Sequence, residues 1–496
     1  MTTALRPEPF ADAIFRRLIA SLPRADNERP AWHVAEPYLM RHAAQHAVSA
    51  GLADELLQDP GFLVHADPET VTAALRQATT PDARLAAAIY RASQGVHRDL
   101  GADQRRQILA LDAARFQATA LSDDFARSTY WRPLWATGTQ MSSALTATLT
   151  GHRARVGGVA TAVVDGRPVV ISGGEDRTVR VWDLTTSRTT HTLVGHTGWV
   201  CAVATAVVDG RPVAIAAGGE DHTVRVWDLN SGYATHTLTG HTGWVFAVVT
   251  AVVDGRPVAI SASGDGTVRV WDLNSGHATH TLTGDTDLRA VATAVVDGRP
   301  VAIAGSSGGT VRVWNLTTGH ITRTLTGHIG IVGAVATAVV DGRPVAISAG
   351  EDGTVRVWDL NSGHATHTLT GHTGPVRTMV TVVVNGRPVA VTAGGGGDGG
   401  MVRVWDLNSG HVTHSLAGHT GWVGAVATAV VDGRPLAVSG GEDGDVRVWD
   451  LTAVHATHTL TGHTREVGAV AMAVVDGRRV AISGGEDGEV RVWDLT

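Results

Sequence analysis

From about residue 143 to the end, apolar residues come in short runs of Val, Ile, Ala and Thr, broken by clusters of turn-forming residues. In residues 195–240, GHTGWVCAVATAVVDGRPVAIAAGGEDHTVRVWDLNSGYATHTLTG, four such runs are separated by DGRP, GGED and NSG. Asp-Gly and similar pairs between β-branched runs favour the tight turns of antiparallel hairpins, so the pattern predicts a four-stranded meander. A single small sheet of this kind cannot bury both of its faces and must stack on neighbours. The run before DGRP carries Ala202, Ala204 and Ala206, small enough for the narrow inner end of a wedge, whereas Trp227 belongs to a roomier strand. Residues 1–140 follow a different pattern, with apolar residues at helical spacing. PYLMRHAAQHAVSAG, GLADELLQD, PETVTAALRQA, ARLAAAIYRASQ and ADQRRQILALDAARFQATAL read as successive amphipathic helices ended by Pro, Asp or Gly.

Tryptophan marks a period in the strand-forming part. Trp-Asp recurs at Trp182, Trp227, Trp271, Trp358, Trp405, Trp449 and Trp493, with Trp314-Asn315 in the remaining gap, at spacings of 43 to 47 residues. A Gly-His pair precedes each by about 30 residues, at His152, His196, His241, His328, His372, His419 and His463, and Asp285 stands in once. The chain stops at Trp493-Asp494-Leu495-Thr496, one strand short of a unit, and residues 144–150, ALTATLT, match the strand that precedes Gly-His elsewhere. The first strand is therefore expected to complete the last unit, which removes the exposed sheet edges.

A repeat of this length with these two marks resembles the WD-repeat family, over residues 143–496. The resemblance implies an all-β propeller of eight blades, closed by the N-terminal strand and preceded by an α-helical domain over residues 1–140. It also implies a hydrogen-bonded chain inside each blade: His152, Ser172, Asp176 and Trp182 in the first copy, His328, Ser348, Asp352 and Trp358 in the fifth. The fourth copy departs, with Asp285, Ala304 and Gly308 in place of His, Ser and Asp and one residue missing before its first strand; that blade is expected to be the loosest. The helices around Tyr38, His42, His46, Gly51, Leu56 and Leu57 resemble the connectors that join the nucleotide switch to the propeller in STAND-class signal-transduction NTPases. The nucleotide module itself has no counterpart, because GxxxxGK[ST] is absent.

Composition narrows the chemistry. All 40 basic residues are arginine, which removes P-loop lysines, Schiff bases and lysine general bases together. That usage resembles repeat proteins of high-GC bacteria. One cysteine, Cys201, permits neither a disulfide nor a thiolate metal site within the chain, and it reads as a small buried or semi-buried residue rather than a nucleophile. A net charge of -7 argues against nucleic acid, and with no apolar run of spanning length or signal-peptide form the expected location is the cytoplasm.

Differences among the copies point to a binding surface. The residues closing the loop after Gly-His give an apolar arc over six consecutive copies: Trp199, Trp244, Leu288, Ile331, Pro375 and Trp422. The alternative is that each tryptophan folds onto its own blade. Glu175, Glu220, Glu351, Glu442 and Glu486 precede the turn aspartates, and read either as an electrostatic attractor for a basic partner or as solvated turn residues. Gly394–Gly400 lengthens the same turn and reads as a floppy turn. The H-x-x-H pairs, such as His277/His280 and His364/His367, point to opposite faces of a strand and are not expected to share a metal; no metal or other cofactor is expected. The sequence thus points to a non-catalytic scaffold or sensor that binds a protein or peptide, with neither nucleic acid nor membrane as partner. A detached sensor half of a STAND-type switch is the alternative, and a propeller hydrolase ranks below both because the carboxylates repeat with the blades.

Overall fold

In a computed structural model of the chain, the described residues are all except 1–10, 25–28, 94–96, 99, 117, 128–132, 134–143, 396–399, 432, 453–455 and 496. The chain divides into two compact units, residues 1–148 and 149–496, and strand pairing assigns Leu145–Thr150 to a sheet of the second.

The second unit contains eight four-stranded antiparallel sheets. We number them as blades 1 to 8: Val156–Leu193, Val200–Leu238, Val245–Thr283, Leu288–Thr326, Val332–Leu369, Val376–His419, Val423–Leu460, and Val467–Asp494 together with Leu145–Thr150. Within blades 1 to 7, strands a to d follow chain order outward from the channel. Strands a of adjacent blades touch around the full circle, blade 8 against blade 1. Leu145–Thr150 supplies strand d of blade 8 beside Glu489–Asp494, so the circle closes.

Turn chemistry sets the a–b hairpins. In blade 2 the closing pair is Val208 and Arg211, and the two residues between them, Asp209 and Gly210, have φ of 49° and 75°. Two successive left-handed residues make the turn whose twist matches paired strands. At the opposite end, strand a of every blade carries a β-bulge; in blade 2 the register jumps between Val200 and Ala202, leaving Cys201 as the extra residue. A bulge re-aims one side chain without changing the alternation beyond it.

The tryptophans pack between blades. Trp227 of blade 2 lies in a core with Val169, Ile171, Val179 and Val181 of blade 1, and Trp358 of blade 5 packs with Val301, Ile303, Val311 and Val313 of blade 4. Ala202, Ala204 and Ala206 line the inner side of the next such core, which is filled by Trp271. Each blade therefore buries its large side chain against the blade before it.

The helical unit contains α1 (Ala11–Ala20), α2 (Pro37–Ala50), α3 (Ala53–Leu57), α4 (Pro60–His65), α5 (Pro68–Arg76), α6 (Pro81–Ala92), α7 (Ala102–Arg115) and α8 (Thr119–Ala126). Proline at the first turn follows a capping side chain in three of them: Asp59, Asp67 and Thr80 accept from the amides of Gly61, Glu69 and Ala83. The run 102–121, expected as one helix, is two, because Phe116 ends α7 and the Ala118 amide bonds back to the Ala113 carbonyl; no glycine or proline announces that break. Leu56 and Leu57 are core residues and Gly51 is the left-handed cap of α2. Tyr38, His42 and His46 share one face of α2, with Tyr38 Oη 3.1 Å from His46 Nε2.

Candidate functional site

The internal chains of the blades come together as the family resemblance implies. In blade 1, Trp182 Nε1 donates to Ser172 Oγ at 2.7 Å, Ser172 Oγ lies 2.8 Å from His152 Nε2, and His152 Nδ1 lies 3.0 Å from Asp176. Blade 5 repeats this with Trp358, Ser348, His328 and Asp352 at 2.8, 2.8 and 3.1 Å. Every group is satisfied when the imidazole is neutral with its proton on Nδ1: the serine then donates to Nε2 and accepts from the indole. Burial lowers the pKa of His328, against the opposing pull of Asp352. Burial also penalises the Asp352 carboxylate, but donors from Ile329, Thr354 and His328 outweigh it and hold its pKa at about 2. These groups belong to the blade interior and are closed to ligand chemistry.

Among the described residues two blades break the chain. In blade 4, Asp285 pairs with Arg312, 3.0 Å from its Nε, and the indole nitrogen of Trp314 has no partner. Ser306 Oγ takes up part of the load, 2.9 Å from Thr310 Oγ1. Blade 2 has Ala216 where others have serine, which leaves buried His196 Nε2 without a partner although His196 Nδ1 keeps Asp221 at 2.7 Å. Restoring the hydroxyl with Ala216→Ser is expected to raise unfolding free energy by about 1 kcal/mol, the usual net value of a buried hydrogen bond. Urea melts of the two proteins measure the difference; an unchanged or lower midpoint would contradict it.

One face of the ring carries the d–a loops and the b–c turns. Backbone bonds join them: the Gly219 amide reaches Trp199 O at 2.7 Å, Gly264 reaches Trp244 at 2.8 Å, Glu351 reaches Ile331 at 2.8 Å and Glu442 reaches Trp422 at 2.7 Å. Among the described residues Trp199 and Trp244 are the most solvent-open tryptophans, 39% and 38% exposed. Their rings meet across the blade 2–3 boundary at 5.9 Å between centroids and 66° between planes. Ile331 and Pro375 are half-buried on the same ring, and Ile329 beside Ile331 is 81% exposed.

The arc needs two corrections. Leu288 is 1% exposed and pairs with Ser306 at the start of strand a. The missing residue in that loop shifts the register by one, so Asp287 takes the loop-end place, its carbonyl bonded to the Ser307 amide. Trp422 is half-buried because Arg377 of blade 6 lies over it, Cζ 4.0 Å from the ring centre, and Gly395 packs against its edge. The exposed aromatic surface is thus concentrated on blades 2 and 3.

The five glutamates surround the same face. Glu220, Glu351 and Glu442 are exposed, while Glu175 and Glu486 are half-buried. Glu486 is engaged by Arg155 at 2.8 Å, and Glu442 accepts from the Trp422 amide at 3.2 Å. Of the Gly394–Gly400 turn, residues 396–399 lie outside the described ones. Burial raises the Cys201 thiol to about 11, which favours its protonated form at neutral pH.

The sequence did not reveal two further features. On the opposite face Val163, Val207, Val252, Val295, Val339, Val383, Val430 and Val474 are all exposed at the mouth of the channel. In strand d of blades 2 and 3, His236 and His280 are half-buried, lying over Gly276 and Gly319 in the turns of the following blades. Among the described residues no cluster of three or more His, Cys, Asp or Glu could hold a metal ion, and no helix is long and apolar enough to cross a membrane.

Comparison with known proteins agrees with this geometry. The family model described as WD domain, G-beta repeat matches residues 143–183, 187–228, 232–272, 319–359, 363–406, 410–450 and 455–494. The span it passes over, residues 273–318, holds strands a to c of blade 4, whose internal chain is broken by Asp285, Ala304 and Gly308. Among solved structures the chain is similar to the computationally designed Ika8 protein, with a TM-score of 0.59 and 28% identity over 70% of this chain and 98% of that one. No curated protein matches the chain.

Proposed function

Because the chain belongs to the WD-repeat family, whose propellers commonly serve as protein-interaction scaffolds, we propose that it is a non-catalytic scaffold or sensor whose protein or peptide partner docks on the face bearing Trp199 and Trp244. The observation that carries this reading is the tryptophan pair, two large side chains left more than a third exposed and in mutual contact on a surface of loops and turns. Indoles in that position supply wide, rigid contact area at low entropic cost. Cytoplasmic placement goes with the same reading.

The test is capture of partners from host extract by the full chain and by a Trp199→Ala/Trp244→Ala variant with an unchanged melting temperature. Partners retained by the parent and lost by the variant are the expected result. The same partners held equally by both would overturn the assignment to this face.

A second reading, the sensor half of a STAND-type signal-transduction switch, draws on the stripe of Tyr38, His42 and His46 along α2. Tyr38 is more than half exposed. The native mass in the host decides it: a mass near 51.6 kDa favours a free propeller, and a much larger one favours the switch.

A further inference from the structure

If this face docks a protein, the arginine–aromatic stacks already on it indicate which side chain the uncovered tryptophans take. The loop-end residue of a blade lies over the bulge residue of the blade before it: Trp422 over Arg377, Arg155 beside Gly468, Glu466 beside Gly424. Phe246, the bulge residue of blade 3, is covered by Arg289, the bulge residue of blade 4, with Cζ 4.2 Å from the ring centre. The residues placed to cover Trp199 and Trp244 are Gly157 and Cys201, which have neither charge nor reach. Among the described residues the arginines that stand over aromatic rings are Arg180, Arg269, Arg289, Arg356 and Arg377, and none of them stands over Trp199 or Trp244.

The charges nearby have the matching sign. Glu220 is exposed on the b–c turn of blade 2, packed against Gly198 next to Trp199. Glu175 occupies the same turn of blade 1, joined to Arg155 by a backbone bond of 2.9 Å. Arg155, the loop-end cation of blade 1, is drawn toward blade 8 by Glu486 at 2.8 Å and Glu466 at 3.3 Å. A guanidinium stacks flat on an indole while its edge donates to carboxylates.

We infer that Trp199 and Trp244, with Glu220 and Glu175 as counter-charges, form a subsite for an arginine side chain presented by the partner protein. The inference rests on the docking reading above and adds to it the chemistry of the ligand.

The experiment is calorimetric titration of the full chain with Ac-Gly-Arg-Gly-Arg-Gly-amide and with the same peptide carrying citrulline, which keeps shape and loses charge. The arginine peptide is expected to bind at least tenfold more tightly than the citrulline peptide. Glu220→Gln and Trp199→Ala should each weaken it by fivefold or more with melting temperature unchanged. Trp422→Ala should leave it unaltered, since that ring already carries Arg377. Equal binding of the two peptides, no binding of either, or an equal loss in Trp422→Ala would overturn the subsite. Host partners lost from the double tryptophan variant but not displaced by the arginine peptide would overturn the subsite alone and leave the docking face standing.

Discussion

Lowering the pH from 7 toward 4 is expected to destabilise the protein steeply, beginning near pH 6.5. Burial, reinforced by the nearby Arg403, lowers His372 to about 4, and burial with Arg105 does the same to His97 in the helical unit. Burial also lowers His241, His328 and His463. An unfolded histidine takes up its proton near pH 6.5 and these folded ones refuse it, so the unfolded state binds more protons as the pH falls through that window. Stability is therefore full above about pH 6.5 and declines down to the folded pKa. For His372 alone the loss is on the order of 3 kcal/mol by pH 4. The carboxylates act in a lower window: burial penalises Asp265, but donors from Thr267, Thr242 and His241 hold it at about 2, so its contribution is present above about pH 4 and is lost between there and pH 2. Melting curves at intervals from pH 8 to 4 should be level down to about 6.5 and then fall. A melting temperature unchanged between pH 7 and 5 would show that these imidazoles accept protons in the folded state.

Trp358→Ala should be among the most damaging single substitutions, at about 3–5 kcal/mol, the range found when a large aromatic is truncated in a core. The ring is 3% exposed, donates to Ser348 at 2.8 Å and fills the core it shares with Val301, Ile303, Val311 and Val313 of blade 4. Its loss opens a void between two blades and strands the serine of one of them. Blade 4 has no complete chain of its own to compensate, since Trp314 Nε1 is unpartnered. Trp358→Phe should cost less, because the ring still fills most of the gap. Equilibrium denaturation of the two variants gives the comparison. A loss below 1 kcal/mol in the alanine variant would mean that the interface closes over the vacancy.

The features legible in the sequence are local ones. Asp209-Gly210 between two β-branched runs specifies a left-handed two-residue turn, and the alternation of Val and Ala then pins the register on either side of it. Trp-Asp and Gly-His recur with the blade, so the number of blades and the role of residues 144–150 in closing the ring could be read by counting. The partners within a chain such as His328, Ser348, Asp352 and Trp358 follow from the same repetition, since a repeated fold puts repeated positions in repeated places.

Exposure was beyond that reading, because it depends on what the adjacent blade presents from more than forty residues away. Trp199 and Trp422 sit at equivalent positions, yet Gly157 leaves one open and Arg377 covers the other. Leu288 was misplaced by a single missing residue, since a one-residue shift in a strand exchanges its inner and outer side chains. The half-burial of His236 over Gly276 and the exposure of Val207 at the channel mouth likewise arise between blades. The sequence by itself determined the blades, their turns and their number, because these are written in neighbouring residues. Only the tertiary structure decided which surface remains for a partner, because that surface is what the packing of one blade on the next leaves uncovered.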